Sequence, residues 1–208
     1  MDHRNKKILL LDFDGVILDS LPIVVGVYNN LLKKYQISKQ FTEDEFRNLF
    51  LGNFHDGLTK IIKDKKIREK ILEEKTKAYI QSKAEFKIFP EIKNVLENLS
   101  KQAKLIIISS NHSNFITEIL NYHNIEYINK ILGADIEKSK VKKIKSQTEK
   151  YPDHKIYYVG DTVGDIREAK LARVKVIGVT WGFHSREILV KENPDFLINK
   201  PSELIQII

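Results

Sequence analysis

Two aspartates separated by a single residue close an apolar run in KKILLLDFDGVILDS, residues 6–20. A buried strand does not ordinarily end in paired acids, because an uncompensated carboxylate is costly to desolvate. Asp12 and Asp14 are therefore candidates for chemistry rather than packing. Ser109, Ser110 and Asn111 end a second apolar run, and Gly160, Asp161 and, one turn on, Asp165 end a third. Lys138 and Lys140 precede the helical stretch that leads into that third run. If the runs are parallel strands, all these groups meet at one edge of the sheet. Carboxylates crowded there repel one another and call for a cation, and oxygen ligands without His or Cys favour a hard ion, Mg²⁺. A hydroxyl, backbone N–H groups at a helix start and a lysine supply what an oxyanion wants. Metal plus phosphate is the simplest substrate for this set.

The elements that must position these residues follow from periodicity. Strands are expected over 8–11, 105–108, 156–159, 176–179 and 196–198, each bounded by polar or glycine-containing turns. Between them lie helical stretches, EIKNVLENLSKQ, SNFITEILNYH with Ser113 as N-cap, VKKIKSQTEKY and DIREAKLARV. Such alternation argues for an α/β fold, a Rossmann-like parallel sheet whose ligand crevice lies at the carboxyl ends of the strands. Residues 20–84 break the rhythm. They carry only helical pattern, including the capping box Thr42-x-x-Glu45 and an amphipathic stretch over 67–82. That is too long for a crossover helix, so it is expected to be an inserted helical cap on a core formed by 1–19 and 85–208.

Composition narrows the function class. The chain has 208 residues, 42% of them hydrophobic, enough to bury a substantial core. Cysteine is absent, which excludes disulfides, thiol nucleophiles and Cys-ligated metals and suits a cytoplasmic protein. The apolar stretch behind MDHRNKK is cut at Asp12, too short for a signal-peptide core or a membrane span. Formal net charge is +7, but lysines alternate with acids, as in KDKKIREKILEEK, so they read as solvated helix faces and neither nucleic acid nor membrane is expected as a partner. Oligomeric state is not legible.

Taken together, the motifs resemble those of the haloacid dehalogenase-like hydrolases. DFDGV at 12–16 matches that family's first motif, IIISSN its second, EKSK its third and GDTVGD its fourth, in order and over nearly the whole chain. Helical material between the first two motifs resembles a C1 cap of the phosphoglycolate phosphatase-like members. FPEIKNVLENL resembles the return from cap to core, except that Glu91 stands where a glycine is usual. The resemblance implies a phosphatase acting on a small phosphorylated metabolite, with phosphoglycolate the leading guess. It implies Asp12 as nucleophile forming an aspartyl-phosphate and Asp14 as general acid and base. Asp12, the backbone carbonyl of Asp14 and Asp161 would hold Mg²⁺, with Asp165 an outer ligand or a residue orienting metal-bound water. Ser109, or Ser110 in the alternative register, would bind a phosphoryl oxygen, and Lys138, or Lys140, would neutralise Asp12 and the phosphoryl group. His55 is a further substrate-binding candidate, because Gly52-Asn53 resembles a cap loop that reaches the site. His112 and His184 read as loop residues near the rim.

Each residue also has a plainer reading. Asp14-Gly15 has the form of a turn, Asp165 that of a helix-start acid, Ser109 that of a cap and Lys138 that of a surface charge. Three rival functions share parts of the pattern. A haloacid dehalogenase has no need of Asp14, a β-phosphoglucomutase-like sugar-phosphate mutase differs only in the cap, and a signalling receiver module carries its acids ahead of the lysine.

Overall fold

The computed structural model describes residues 7–52 and 54–208. Its centre is a six-stranded parallel sheet of β1 (Lys7–Leu11), β4 (Lys104–Ile108), β5 (Lys130–Leu132), β6 (Lys155–Gly160), β7 (Lys175–Val179) and β8 (Phe196–Ile198), in the order β5-β4-β1-β6-β7-β8. Every neighbouring pair is parallel. Apolar residues run without alternation along β1 because both faces of the sheet are covered. Leu9 and Leu11 join the cluster on one face, Ile8 and Leu10 that on the other. Helices α5 (Ile92–Ser100) and α6 (Ser113–Tyr122) pack on the first face; α7 (Lys140–Lys150) and α8 (Val163–Leu171) pack on the second. Short helices α9 (Arg186–Leu189) and α10 (Leu204–Ile207) flank β8. This is the expected α/β, Rossmann-like architecture.

Between β1 and α5 the chain leaves the sheet through β2 (Leu18–Asp19) and returns through β3 (Lys87–Ile88), which pair antiparallel. The excursion consists of α1 (Leu21–Lys34), α2 (Glu43–Asn48), α3 (Phe54–Ile61) and α4 (Lys65–Gln81). The Thr42 capping box opens α2 with both of its hydrogen bonds made. Among the described residues no helix is long and apolar enough to cross a membrane.

The structure differs from the sequence reading in three local features. The β2–β3 ladder and β5 carry two or three residues per strand, too few to show a period. The cap position of α6 is His112, not Ser113; the Ser113 N–H and hydroxyl instead both donate to Asp135 Oδ1, at 2.7 and 3.0 Å. Glu91 takes φ +66°, the left-handed conformation that glycine adopts without strain.

Candidate active site

At the carboxyl edge of the sheet, β1 lies between β4 and β6, so the residue following it is flanked by the loops that follow its neighbours. The Asp12 N–H still donates to Val159 O of β6 at 2.9 Å, which carries the sheet one residue beyond β1. The chain then turns sharply at Gly15, whose φ is +73°. A Cβ there would lie 1.8 Å from Asp161 Oδ2, so the glycine both makes the turn and leaves room for the acid. Gly182 crowds the same carboxylate from the other side, 2.4 Å from where its Cβ would stand.

Asp12, Asp161 and Asp165 each offer a carboxylate oxygen within 4.8 Å of the others, and all three are buried. Asp12 Oδ1 accepts the Phe13 N–H at 2.8 Å, and Oδ2 accepts Lys140 Nζ at 2.7 Å. Asp165 is fully engaged. Its Oδ1 accepts Lys140 Nζ at 2.8 Å and the Tyr158 hydroxyl at 3.0 Å, while Oδ2 accepts the Thr162 N–H and hydroxyl in a capping box at the start of α8. Asp161 Oδ2 accepts the Phe183 N–H at 2.7 Å, and its Oδ1 is buried with no hydrogen-bond partner. The Asp14 carboxylate stands apart from this trio. Its Oδ2 accepts the Asn111 amide at 2.6 Å, and its Oδ1 is likewise buried without a partner.

The electrostatics follow from burial. Burial pushes Asp12 up to about 8 against the pull of Lys140. Burial, then the charges of Asp165 and Asp12, push Asp161 well above the usual carboxylate range. Burial acts on Asp165 too, but Lys140, Thr162 and Tyr158 outweigh it and hold that carboxyl below its usual value. Burial alone would lower Lys140, yet Asp12 and Asp165 raise it well above the ordinary lysine value. One ammonium facing three carboxylates leaves the trio short of positive charge. An orphaned Asp161 oxygen in an all-oxygen donor set fits a hard divalent cation such as Mg²⁺.

The lysine at the trio is Lys140 and not Lys138, which corrects the preferred register of the sequence reading. Ser139 caps α7, accepting the Lys142 N–H at 3.3 Å, so Lys140 is the first helical residue and points into the site while Lys138 stays exposed before the cap. Ser109 is buried and its hydroxyl accepts the Asn111 N–H at 3.1 Å; Ser110 is exposed, though both line the cavity above Asp12. His55 lies in α3, but its side chain, like Asn53, falls outside the described residues. His184 is buried rather than at the rim. Its Nδ1 accepts the Val163 N–H at 3.0 Å and its Nε2 faces Arg47 O at 3.1 Å, linking α8 to α2.

The cavity, about 100 Å³, runs from Asp12, Asp14 and Ser109 to the side chains of α1–α4. Residues 9–179 match the family described as haloacid dehalogenase-like hydrolase. The chain belongs to that family. It is 26% identical over 226 residues to a phosphoglycolate phosphatase of Vibrio parahaemolyticus, covering all of this chain and 98% of that one. A phosphoglycolate phosphatase of Synechococcus elongatus is 25% identical over 202 residues, 95% of each chain. A haloacid dehalogenase-like family protein of Streptococcus pneumoniae superposes with a TM-score of 0.81 at 21% identity, over 96% of this chain and 97% of that one, which speaks to the fold. Family membership sets aside the receiver-module reading.

Four residues of this haloacid dehalogenase-like hydrolase escaped the sequence reading of the site. Thr162 and Tyr158 hold Asp165, and their hydroxyls carried no signal beyond a strand end. Lys143 is buried beneath the loop after β4 and donates to Ser109 O at 2.6 Å; burial lowers it to about 8, with Lys140 adding to the effect. Lys75 of α4 reaches the cavity and donates to Asn111 Oδ1 at 3.2 Å. For Lys75 a signal existed: Ile71, Lys75 and Tyr79 fall four apart, which places a lysine in the stripe that buries Ile71 and Tyr79.

Proposed function

We propose that this hydrolase is a Mg²⁺-dependent phosphatase that cleaves small phosphate monoesters through an aspartyl-phosphate on Asp12. The observation that carries this reading is the unequal pair of acids lining one cavity. Asp12 is held between a backbone N–H and Lys140, while the buried Asp14, two residues on, keeps one carboxyl oxygen without a partner. A fixed carboxylate suits attack on phosphorus. Burial raises both carboxyls, but at Asp12 Lys140 opposes it through a direct ion pair that favours the charged form. Asp14, with no ion pair among the described residues, suits proton delivery to the leaving oxygen.

In the first step Asp12 bonds to phosphorus as the ester oxygen leaves with the Asp14 proton. In the second, Asp14 takes a proton from water, the water oxygen bonds to phosphorus, and phosphate departs from Asp12. Ser109 and the N–H groups that follow it bind phosphoryl oxygens, and Lys140 offsets the negative charge shared by Asp12 and the phosphoryl group. Asp12, the Asp14 carbonyl and Asp161 would hold Mg²⁺, with Asp165 behind them; when bound, the ion offsets repulsion between anionic nucleophile and anionic substrate. Residues 20–84 act as a cap over the strand ends, excluding water and polymers. Phosphoglycolate, the substrate in the names of the two relatives, is the first to test.

The test is a panel of phosphorylated metabolites with Mg²⁺, run on wild type and Asp12→Asn. The variant should fold and lose turnover on every substrate, because an amide cannot form the acyl-phosphate. EDTA should abolish wild-type activity, Mg²⁺ should restore it, and Ca²⁺, with its looser and larger coordination, should not. Full turnover by Asp12→Asn would refute the mechanism.

A further inference from the structure

The cap side of the cavity is an apolar wall with two polar groups left over. Tyr28, Phe46, Phe50, Phe54, Leu72 and Tyr79 form most of it. Among the described residues Lys75 pairs with no carboxylate: its ammonium donates to the neutral Asn111 amide at 3.2 Å and stands 5.3 Å from the Tyr79 ring centroid. Burial lowers its pKa, with only the more distant Asp14 charge opposing. The Tyr28 hydroxyl, on a side chain 1% exposed, has no hydrogen-bond partner at all. A part-buried ammonium with no carboxylate at ion-pair distance and a buried hydroxyl without a partner each cost free energy, and both can donate. An anionic acceptor in the cavity that both line would satisfy the two together.

Position tells how far that acceptor lies from the reaction. Asn111 accepts from Lys75 through Oδ1 and donates to Asp14 Oδ2 at 2.6 Å through Nδ2. Lys75 is thus one side-chain amide away from the carboxyl that, on the phosphatase reading, protonates the leaving oxygen. A group bound by Lys75 must sit within a carbon or two of the ester oxygen. Phosphate itself is accounted for on the core side, by Ser109 and Lys140, so the second anion belongs to the leaving group.

Resting on that phosphatase reading, we infer that Lys75, with the Tyr28 hydroxyl, is the specificity site of this chain and binds a leaving-group carboxylate, selecting 2-(phosphooxy) carboxylic acids. The apolar wall tolerates a hydrogen or a small alkyl group on the intervening carbon. It rejects polyhydroxylated leaving groups such as sugars, whose hydroxyls would be buried without partners.

The experiment compares phosphoglycolate with its uncharged carboxamide, a near-isosteric monoester, using kcat/KM with Mg²⁺ present. Wild type should favour the carboxylate by at least about 10-fold, the effect of one charged hydrogen bond in a desolvated site. In Lys75→Met that preference should shrink by about 10- to 100-fold, mostly through KM, and Lys75→Arg should recover part of it. Tyr28→Phe should shrink it by a smaller factor. A wild type that hydrolyses both monoesters equally overturns the inference without any variant, and leaves the phosphatase reading standing. Equal losses on both substrates in Lys75→Met also overturn it, assigning Lys75 to Asp14 through Asn111. Hydrolysis of no monoester at all rejects the phosphatase reading and this one with it.

Discussion

Lys140 carries two ion pairs from the first turn of α7, to Asp12 at 2.7 Å and Asp165 at 2.8 Å, with all three side chains nearly buried. Removing a buried charge strands its partners, which costs far more than the net worth of the pair. Lys140→Met should therefore lower kcat by roughly 10²-fold or more and reduce stability by about 3 kcal/mol, read from denaturant titration beside steady-state kinetics. Lys138→Met, at an exposed position ahead of the helix cap, should change neither measurably. A larger kinetic loss in Lys138→Met than in Lys140→Met would return the motif to Lys138. At this scale the sequence supplied the right pair of lysines but not the choice between them, because two residues in an irregular loop have no period to tell which one starts the helix. Ser139 held the answer as an N-cap, since a capping serine makes the next residue the first of the helix.

Between elements, His184 joins α2 to α8 through one accepted and one donated hydrogen bond, a pairing open only to a neutral ring with its proton on Nε2. A protonated Nδ1 would face the Val163 N–H. Burial holds the His184 pKa below its usual value of 6.5, so the folded protein binds fewer protons than the unfolded chain in the window below that pH. The stabilising contribution of this contact is whole above pH 6.5 and is lost as pH falls through the lowered folded value. Thermal melts at pH 7.5 and 5.5 should thus show a larger drop in Tm for wild type than for His184→Gln, which does not titrate. Parallel drops would remove His184 from the pH response. The contact matters beyond stability because it ties the Arg47 carbonyl of α2 to the helix that begins beside Asp161 and ends its capping box at Asp165.

Over the whole molecule one apolar cluster runs from Leu9 and Leu11 of the sheet through Phe13 and Phe115 to Tyr28, Phe46, Ile71 and Tyr79 of the helical segment. Phe115 makes ring contacts with Phe13, Tyr79 and Phe86 at 5.3 to 6.1 Å between centroids. Residues 20–84 therefore cover core apolar surface as well as the cavity, and their removal exposes it. A variant with 21–81 replaced by a short linker should lose several degrees or more in Tm and bind a hydrophobic dye, and Phe115→Ser in that background should lessen the dye binding. If the linker variant melts like wild type without binding dye, the segment is an independent lid with no share in the core. Many of the surplus lysines, meanwhile, pair with acids along exposed helix faces, as Lys34 does with Glu74 and Lys77 with Glu73, contacts that contribute little to stability.

What the sequence determined by itself is whatever has a period or an ordered spacing. Unbroken apolar runs specified the parallel sheet, because strands buried on both faces need apolar residues at every position. Acids and hydroxyls just beyond those runs marked its carboxyl edge, and the order of four short motifs marked the family. Tertiary structure decided what depends on residues far apart in the chain. It alone brought Lys75 of α4 to Asn111, 36 positions later, and Asn111 to Asp14, 97 positions earlier. It also turned Asp165 inward as the holder of Lys140 rather than leaving it a solvated helix-start acid. Local pattern reports which face of an element is buried, whereas the partner met on that face is set by how the elements pack. A lysine in an apolar stripe is visible in the sequence; that it enters the cavity with no ion-pair partner among the described residues, one amide away from Asp14, is visible only once the helix has docked.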